Sequence, residues 1–172
     1  MQKEFFEKSP EIVAKELLGS ILTRKIDNRE LRARIVETEA YYGDKDPASR
    51  ACKNGDLRET MMMDAGTILV YGVHNNWMLN FVTGKEGSAE AVLIRALEPL
   101  NFDAKCNGPG LLTKALQINK SFHKKNILEN EELSLEPRKE NYKIEKSFRI
   151  GVAKDLQRKL RFYVQENKFV SR

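Results

Sequence analysis

The chain has 172 residues, of which 41% are apolar and 32% charged, and its formal net charge is +5. This length suits one domain, and this composition is typical of a folded globular protein rather than a disordered one. Two cysteines and two histidines are too few for a disulfide-dense scaffold, a four-cysteine zinc site or a histidine-rich metal centre.

The N-terminal half of the chain predicts one helix followed by strands. Ser9-Pro10-Glu11 is typical of a helix start, and Gly19 is typical of its end. Strands are predicted over 20–26 and 31–42, and a polar loop is predicted over 43–65.

Three closely spaced apolar runs follow, and their short turns favour antiparallel pairing. They lie at 67–73, 77–83 and 91–97. The remaining elements are a helix over 111–118, an irregular charged stretch over 119–146, and late strands over 149–152 and 160–164. We predict an α+β fold in a single domain over 1–172, with a mostly antiparallel sheet and packed helices.

The charge distribution and the apolar pattern indicate possible partners. Residues 1–110 carry a net charge of −2 and residues 111–172 a net charge of +7. The basic half favours a polyanionic partner such as nucleic acid, although a lysine-rich solvated surface gives the same pattern. No apolar run approaches the ~20 residues of a membrane helix, and the first residues lack a secretory apolar core. We therefore expect a cytoplasmic protein, nucleoid-associated if prokaryotic, that does not bind membranes.

The clearest chemical signal lies between Ile35 and Tyr42. Alternate side chains of a strand share a face, so Glu37, Glu39 and Tyr41 would lie together. Two carboxylates beside an aromatic ring suit hydrolytic acid/base chemistry, such as cleavage of a sugar bond. Solvated acids on an exposed edge strand are the alternative interpretation.

Arg95 interrupts the apolar run 91–97. An arginine in a buried strand requires a carboxylate or phosphate partner. The pattern is equally compatible with an outward-facing side chain. Gly108-Pro109-Gly110 before the second helix could present free N–H groups to a phosphate, or could be an ordinary helix entry.

Several short sequence blocks, spread in order along nearly the whole chain, together form the pattern of one family. They are Val36–Tyr41 with Gly43 and Asp46-x-Ala48, Gly66–Tyr71, Met78–Asn80, Ala91–Pro99, Gly108–Ile118, Arg149–Val152, Leu160–Val164 and Phe169–Ser171. In combination they resemble the alkyladenine (3-methyladenine) DNA glycosylase family. Each block alone would be a weak signal, whereas the collinear set is specific.

The resemblance implies a base-excision-repair enzyme that excises alkylated or deaminated purines from double-stranded DNA and leaves an abasic site. It implies no metal and no cofactor, and we expect a monomer. The target nucleotide must be flipped out of the stack before the bond is accessible. The implied fold has a protruding hairpin, Thr67–Thr83 here, that enters the minor groove. No lysine is singled out as a Schiff-base nucleophile, so we expect a monofunctional enzyme without strand cleavage.

The resemblance also implies a role for each matching residue. Glu39 matches the general base, Arg95 the residue that helps to hold the attacking water and orients the carboxylate, and Ile150 a backbone carbonyl that contacts this water. Glu37 would be a neighbour of the base rather than a second catalyst. The base pocket is implied to contain the aromatic walls Tyr41 and Tyr71, the guanine-rejecting Asn80, and Ala48 and Arg50.

The chain departs from the family pattern at two places. Arg50 stands where the family commonly has a histidine. The hairpin is one residue shorter than usual. His74 is therefore the candidate for the wedge, the side chain that fills the space of the flipped nucleotide. Val73 is the next candidate, and Asn75 lies beside them at the tip. A second alignment makes Tyr71 the wedge instead.

Two further function classes stay open. One is a non-catalytic module that binds lesions or nucleic acid, which Arg50 and the altered hairpin suggest. The other is a hydrolase of small nucleosides or glycosides, which the pair Glu37 and Glu39 suggests.

Overall fold

The computed structural model describes residues 1–171 as an antiparallel eight-stranded sheet with four helices. The predicted α+β class and the mostly antiparallel sheet are therefore confirmed. The helices are α1 Lys3–Phe6, α2 Pro10–Leu17, α3 Asp56–Met61 and α4 Pro109–Ala115, and 3₁₀ turns lie at Arg50–Cys52 and Lys120–Phe122. No helix among residues 1–171 is long and apolar enough to cross a membrane.

The sheet runs in the order β3-β4-β5-β2-β1-β6, and β8 pairs with both β2 and β7. The strands are β1 Ile21–Ile26, β2 Arg29–Tyr41, β3 Ile68–Val73, β4 Asn76–Thr83, β5 Glu90–Pro99, β6 Leu133–Glu136, β7 Ile144–Ser147 and β8 Arg161–Val164.

The 13-residue strand β2 lies at the centre of the sheet. It pairs with β5 along one side, and on its other side β1 pairs with Arg29–Arg34 while β8 pairs with Glu37–Glu39. Glu37 and Glu39 therefore lie on a central strand, and the edge-strand interpretation of these acids is wrong.

The two faces of the sheet carry separate apolar clusters. The larger cluster includes Val36, Phe81 and Leu17 of α2, and the Thr38 hydroxyl donates to the Ala14 carbonyl of α2 at 2.8 Å. The smaller cluster lies on the other face and consists of Ala51, Met61, Leu69, Val82, Ala89 and Ala91. Since α3 and the first 3₁₀ turn supply two of these residues, the segment 43–65 covers this face.

Three local predictions are wrong. The segment 43–65 is not one irregular loop, because it contains α3 and a 3₁₀ turn. The stretch 119–146 contains β6 and β7, which are four residues each and mostly polar on their exposed face. Residues 149–152 form no strand, because Gly151 takes a left-handed φ of 74° that interrupts the extended run.

The hairpin of β3 and β4 ends in a two-residue turn of His74 and Asn75, whose φ angles are 46° and 60°. Positive φ at both central residues is the requirement of a type I′ turn. Both turn residues are exposed. α4 lies against the turn end of the hairpin, where a Cβ on Gly110 would lie 2.7 Å from Asn76.

Phe81 tests how strongly the larger cluster stabilises the sheet. Its ring is fully buried and lies 5.9 Å from the ring of Phe6. We expect Phe81→Ala to lower the free energy of unfolding by about 3–5 kcal/mol, because it removes apolar contacts and leaves a cavity. Urea denaturation measures this change. Phe148→Ala, at a ring that is 53% exposed, should change the free energy of unfolding by no more than about 0.5 kcal/mol. Equal losses of stability in both variants would contradict a stabilising role of the larger cluster.

Candidate active site

Two β-bulges shape the sheet where β2 meets β5. The register passes from Ile35 opposite Leu97 to Glu37 opposite Ala96, and then to Thr38 opposite Ile94. One residue on each strand is therefore unpaired, namely Val36 and Arg95. Bulges change the direction in which a side chain points and are over-represented next to active sites. The bulge in β5 directs Arg95 towards the carboxylates of β2.

One row of side chains crosses the sheet on the face that carries the smaller cluster. Glu39 lies opposite Leu93, Leu93 opposite Asn80, and Asn80 opposite Leu69. Residues directly opposite on antiparallel strands point to the same face, and so do residues two apart on one strand. Tyr41 therefore shares this face with Glu39, as the alternation in the sequence predicts.

Glu39 is completely buried and held by three groups. Its Oε1 accepts from the Ile150 N–H at 2.8 Å and lies 3.4 Å from Arg95 Nη1, and its Oε2 accepts from the Tyr41 hydroxyl at 2.7 Å. Burial raises the pKa of Glu39, while Arg95 and the two hydrogen bonds oppose that rise. The result is a fixed carboxylate that is a stronger base than a solvated one.

Glu37 is also fully buried, but its oxygens are occupied. They accept from Arg95 Nε at 3.0 Å, from Arg161 Nε at 2.6 Å, and from the backbone N–H and hydroxyl of Ser171 at 2.6 and 2.8 Å. Both oxygens of Glu37 therefore already accept hydrogen bonds within the protein. Its visible effect is to hold the guanidinium of Arg95 next to Glu39.

A buried ion cluster fixes the loops on either side of Glu39. Arg149 binds both oxygens of Asp46 at 2.7 and 2.8 Å, donates to the Ala40 carbonyl at 2.9 Å, and contacts Asp155. Burial alone would raise the pKa of Asp46, but the hydrogen bonds from Arg149 lower it overall. The cluster ties the segment 43–49 to the segment that carries Ile150. Sequence reasoning missed this role of Arg149, and the only signal was an arginine within one of the family blocks.

Two tyrosine rings share the face of the sheet that carries Glu39. Tyr41 donates to it, and the guanidinium of Arg149 lies 4.5 Å from the centre of the Tyr41 ring. Burial raises the pKa of both Tyr41 and Tyr71, and the charge of Glu39 raises both further. Both phenols are therefore neutral near pH 7 and present aromatic surface beside the base.

The other predicted pocket residues have defined positions. The side-chain amide of Asn80 donates to the carbonyls of Leu69 and Met78 at 3.0 and 3.2 Å, which fixes its orientation. The N–H of Ala48 donates to Asp46 at 3.1 Å. The guanidinium of Arg50 lies 4.9 Å from the centre of the Tyr71 ring.

The structure thus brings Glu39, Arg95, Ile150 and Tyr41 into direct contact. Ile150 reaches Glu39 through its N–H, whereas the resemblance implies a role for its carbonyl. The hairpin residues Val73, His74 and Asn75 do not join this group and lie beyond Tyr71 at the end of β3. Within residues 1–171, no group of three or more His, Cys, Asp or Glu side chains could hold a metal ion.

Comparison with known proteins covers nearly the whole chain. A model of the family "Methylpurine-DNA glycosylase (MPG)" matches residues 4–168. A protein of Aeropyrum pernix is 39% identical over 100% of this chain and 93% of its own length. Proteins of Borreliella afzelii and Clostridium beijerinckii are 40% and 35% identical over 100% of this chain and 100% and 98% of theirs. All three carry the name "Putative 3-methyladenine DNA glycosylase".

The Asp46–Arg149 pair predicts a component of stability that depends on pH. Because the pKa of Asp46 is lowered in the folded protein, its contribution is complete above the unfolded pKa of about 3.9 and is lost as the pH falls through the folded pKa. We expect Asp46→Asn to unfold more easily at pH 7, by about 3–5 kcal/mol, since it leaves Arg149 without its main partner. The variant should also lose less stability than the unsubstituted protein between about pH 5 and pH 2.

Urea midpoints measured across this range test both expectations. The matched control is Asp64→Asn, which removes an exposed carboxylate paired with Lys3 and should cost no more than about 1 kcal/mol. If Asp46→Asn and the unsubstituted protein lose stability to the same extent as the pH falls, the Asp46–Arg149 pair is not the source of the pH dependence.

Proposed function

The chain belongs to the methylpurine-DNA glycosylase family, and on this premise we propose that it hydrolyses the N-glycosidic bond of alkylated or deaminated purines in double-stranded DNA. The observation that carries the proposal is the Glu39 carboxylate. It is completely buried, fixed by Ile150, Tyr41 and Arg95, and has a raised pKa. We further propose that residues 1–172 act as one domain and as a monomer.

In the proposed reaction, Glu39 accepts a proton from a water molecule whose oxygen attacks C1′ of the nucleotide. The bond from C1′ to the purine nitrogen breaks, its electron pair leaves with the base, and an abasic site remains. A base with a raised pKa takes this proton more readily than a solvated carboxylate does. Arg95 lies between Glu37 and Glu39 and so keeps the carboxylate in place. The carbonyl of Ile150 is proposed as a further contact to the water.

The glycosidic bond of a stacked nucleotide is out of reach of a buried carboxylate, so the proposal requires the nucleotide to flip out. The neutral rings of Tyr41 and Tyr71 are then the stacking surfaces for the purine. Asn80, whose amide is fixed by two backbone carbonyls, is proposed to disfavour the exocyclic amine of normal guanine by an unfavourable contact. 7-Methylguanine keeps this amine, but its positive charge weakens the glycosidic bond, so we expect it to be released despite the contact. Ala48 is proposed to line the same pocket.

His74 is the proposed wedge that fills the space left by the flipped nucleotide. It lies exposed in the turn of the hairpin, with Val73 behind it and Asn75 beside it. Tyr71 is instead half-buried, with Arg50 against its ring, which supports its role as a pocket wall. Inserting a side chain between base steps costs a few kcal/mol for unstacking, which additional contacts with the bent DNA offset.

Base release from defined duplexes tests the proposed function. Duplexes that contain hypoxanthine, ethenoadenine or 7-methylguanine should yield the free base and a strand that breaks only after alkali treatment. Strand breakage without alkali would contradict a monofunctional enzyme. Lesion-preferring binding with no release from any duplex would favour the non-catalytic module, and turnover of free nucleosides alone would favour the small-molecule hydrolase.

The pH dependence of release tests the role of Glu39. The base must be ionised to accept a proton, so the single-turnover rate should fall as the pH drops through the raised pKa of Glu39. Tyr41→Phe keeps the ring but removes a hydrogen bond that lowers this pKa. We therefore expect this variant to lose activity at a higher pH than the unsubstituted protein does.

Tyr142→Phe is the matched control, because its hydroxyl contacts Glu140, far along the chain from Glu39. Its single-turnover rate should fall over the same acidic pH range as that of the unsubstituted protein. If the rate of Tyr41→Phe also falls over that unchanged range, a group other than Glu39 controls the rate.

A further inference from the structure

The structure points to Arg50 as a specificity-determining residue. We propose that its guanidinium makes the site prefer neutral purines with hydrogen-bond acceptors, such as hypoxanthine, over purines that carry a positive charge from alkylation. The inference rests on the proposed function and concerns which lesions the same site processes.

The backbone of Arg50 is anchored on the face of the sheet that carries Glu39. Arg50 opens a 3₁₀ turn in which the Ser49 hydroxyl accepts from the Ala51 N–H at 3.1 Å. Ala51 is completely buried in the smaller apolar cluster. The Ser49 N–H donates to the carbonyl of Asp46 at 2.9 Å, and the side chain of Asp46 is bound by Arg149. The Cα of Arg50 is therefore held at this face by buried contacts on both sides.

The guanidinium of Arg50 has a different environment from the guanidinium groups of Arg95 and Arg149. Arg95 pairs with Glu37 and Arg149 pairs with Asp46. Among residues 1–171, no carboxylate lies within 4.0 Å of the Arg50 guanidinium. It lies instead 4.9 Å from the centre of the Tyr71 ring. There it opposes the rise that burial gives to the pKa of Tyr71, first through a hydrogen bond to the Tyr71 side chain and then through its charge. A positive charge without a carboxylate partner therefore lies against one of the proposed stacking surfaces.

The two classes of damaged purine interact with this charge in opposite ways. Alkylation at N7 or N3 puts a positive charge on the ring, and a like charge nearby disfavours its binding. Hypoxanthine is neutral and presents N7 and O6 as acceptors, the pair that arginine binds with two hydrogen bonds. Normal guanine presents the same pair, so its rejection remains with Asn80.

The chemical step separates the two classes further. A neutral purine departs with the electron pair of the broken bond and becomes anionic, and a guanidinium that donates hydrogen bonds stabilises this charge. A cationic purine departs neutral and gains nothing from the guanidinium. Arg50 donates hydrogen bonds without losing a proton, the proton of the attacking water goes to Glu39, and the released purine anion takes a proton from solvent.

The test compares single-turnover release of hypoxanthine and of 7-methylguanine from duplexes of identical flanking sequence. In Arg50→Gln we expect the hypoxanthine rate to fall by about tenfold or more, as when one donor to a developing negative charge is lost. The 7-methylguanine rate should stay equal or rise. Lys53→Gln is the control, since it removes an exposed positive charge three residues further along the same loop. It should change both rates by one common factor.

Two results overturn the inference while leaving the proposed function intact. In one, Arg50→Gln lowers both rates by the same factor, which is the behaviour of a general contact to the DNA backbone. In the other, neither rate changes. Failure of the unsubstituted protein to release any base from either duplex would instead contradict the proposed function, and the inference with it.

Discussion

The burial of two carboxylates on one central strand constrains the rest of the structure. Glu37 and Glu39 have no exposed surface, and a buried charge is tolerated only when it is paired and hydrogen-bonded. The partners come from distant parts of the chain, because β5 supplies Arg95, β8 supplies Arg161, and the end of the described chain supplies Ser171. Pairing the buried charges of β2 therefore requires both β5 and β8 to lie beside this strand.

The same constraint separates the roles of the two acids. The oxygens of Glu37 are bound by two arginines and by Ser171. Glu39 receives weaker support from one arginine at 3.4 Å and two hydrogen bonds. Burial therefore outweighs the favourable contacts at Glu39 and raises its pKa. One acid anchors the arginine, and the other remains the group that can accept a proton.

The local pattern of the sequence predicts much of this site. Period-two alternation in β2 correctly places Glu39 and Tyr41 on one face. Of the alternatives that the sequence leaves open for Arg95, the structure shows the one in which it pairs with carboxylates. The close spacing of β3, β4 and β5 also predicts their antiparallel pairing. These features depend on neighbours within one strand or hairpin, where the side-chain period is informative.

Contacts between distant segments account for what the sequence could not predict. The Arg149–Asp46 and Ser171–Glu37 contacts join residues 103 and 134 positions apart, and no local pattern specifies such partners. The run 149–152 is typical of a strand because Ile150 and Val152 suit one, yet Gly151 takes a left-handed φ of 74° and Arg149 is bound to Asp46 and Asp155. Likewise, the bulge that turns Arg95 depends on the register between β2 and β5, which the sequence of either strand alone does not show.

The most direct test of Glu39 as the base is single-turnover hypoxanthine release by Glu39→Gln, with duplex affinity measured on the same preparation. The amide keeps the shape of the side chain but cannot accept the proton. We expect a rate at least about 100-fold lower with affinity for the duplex retained. Release at the rate of the unsubstituted protein would show that Glu39 is not the base.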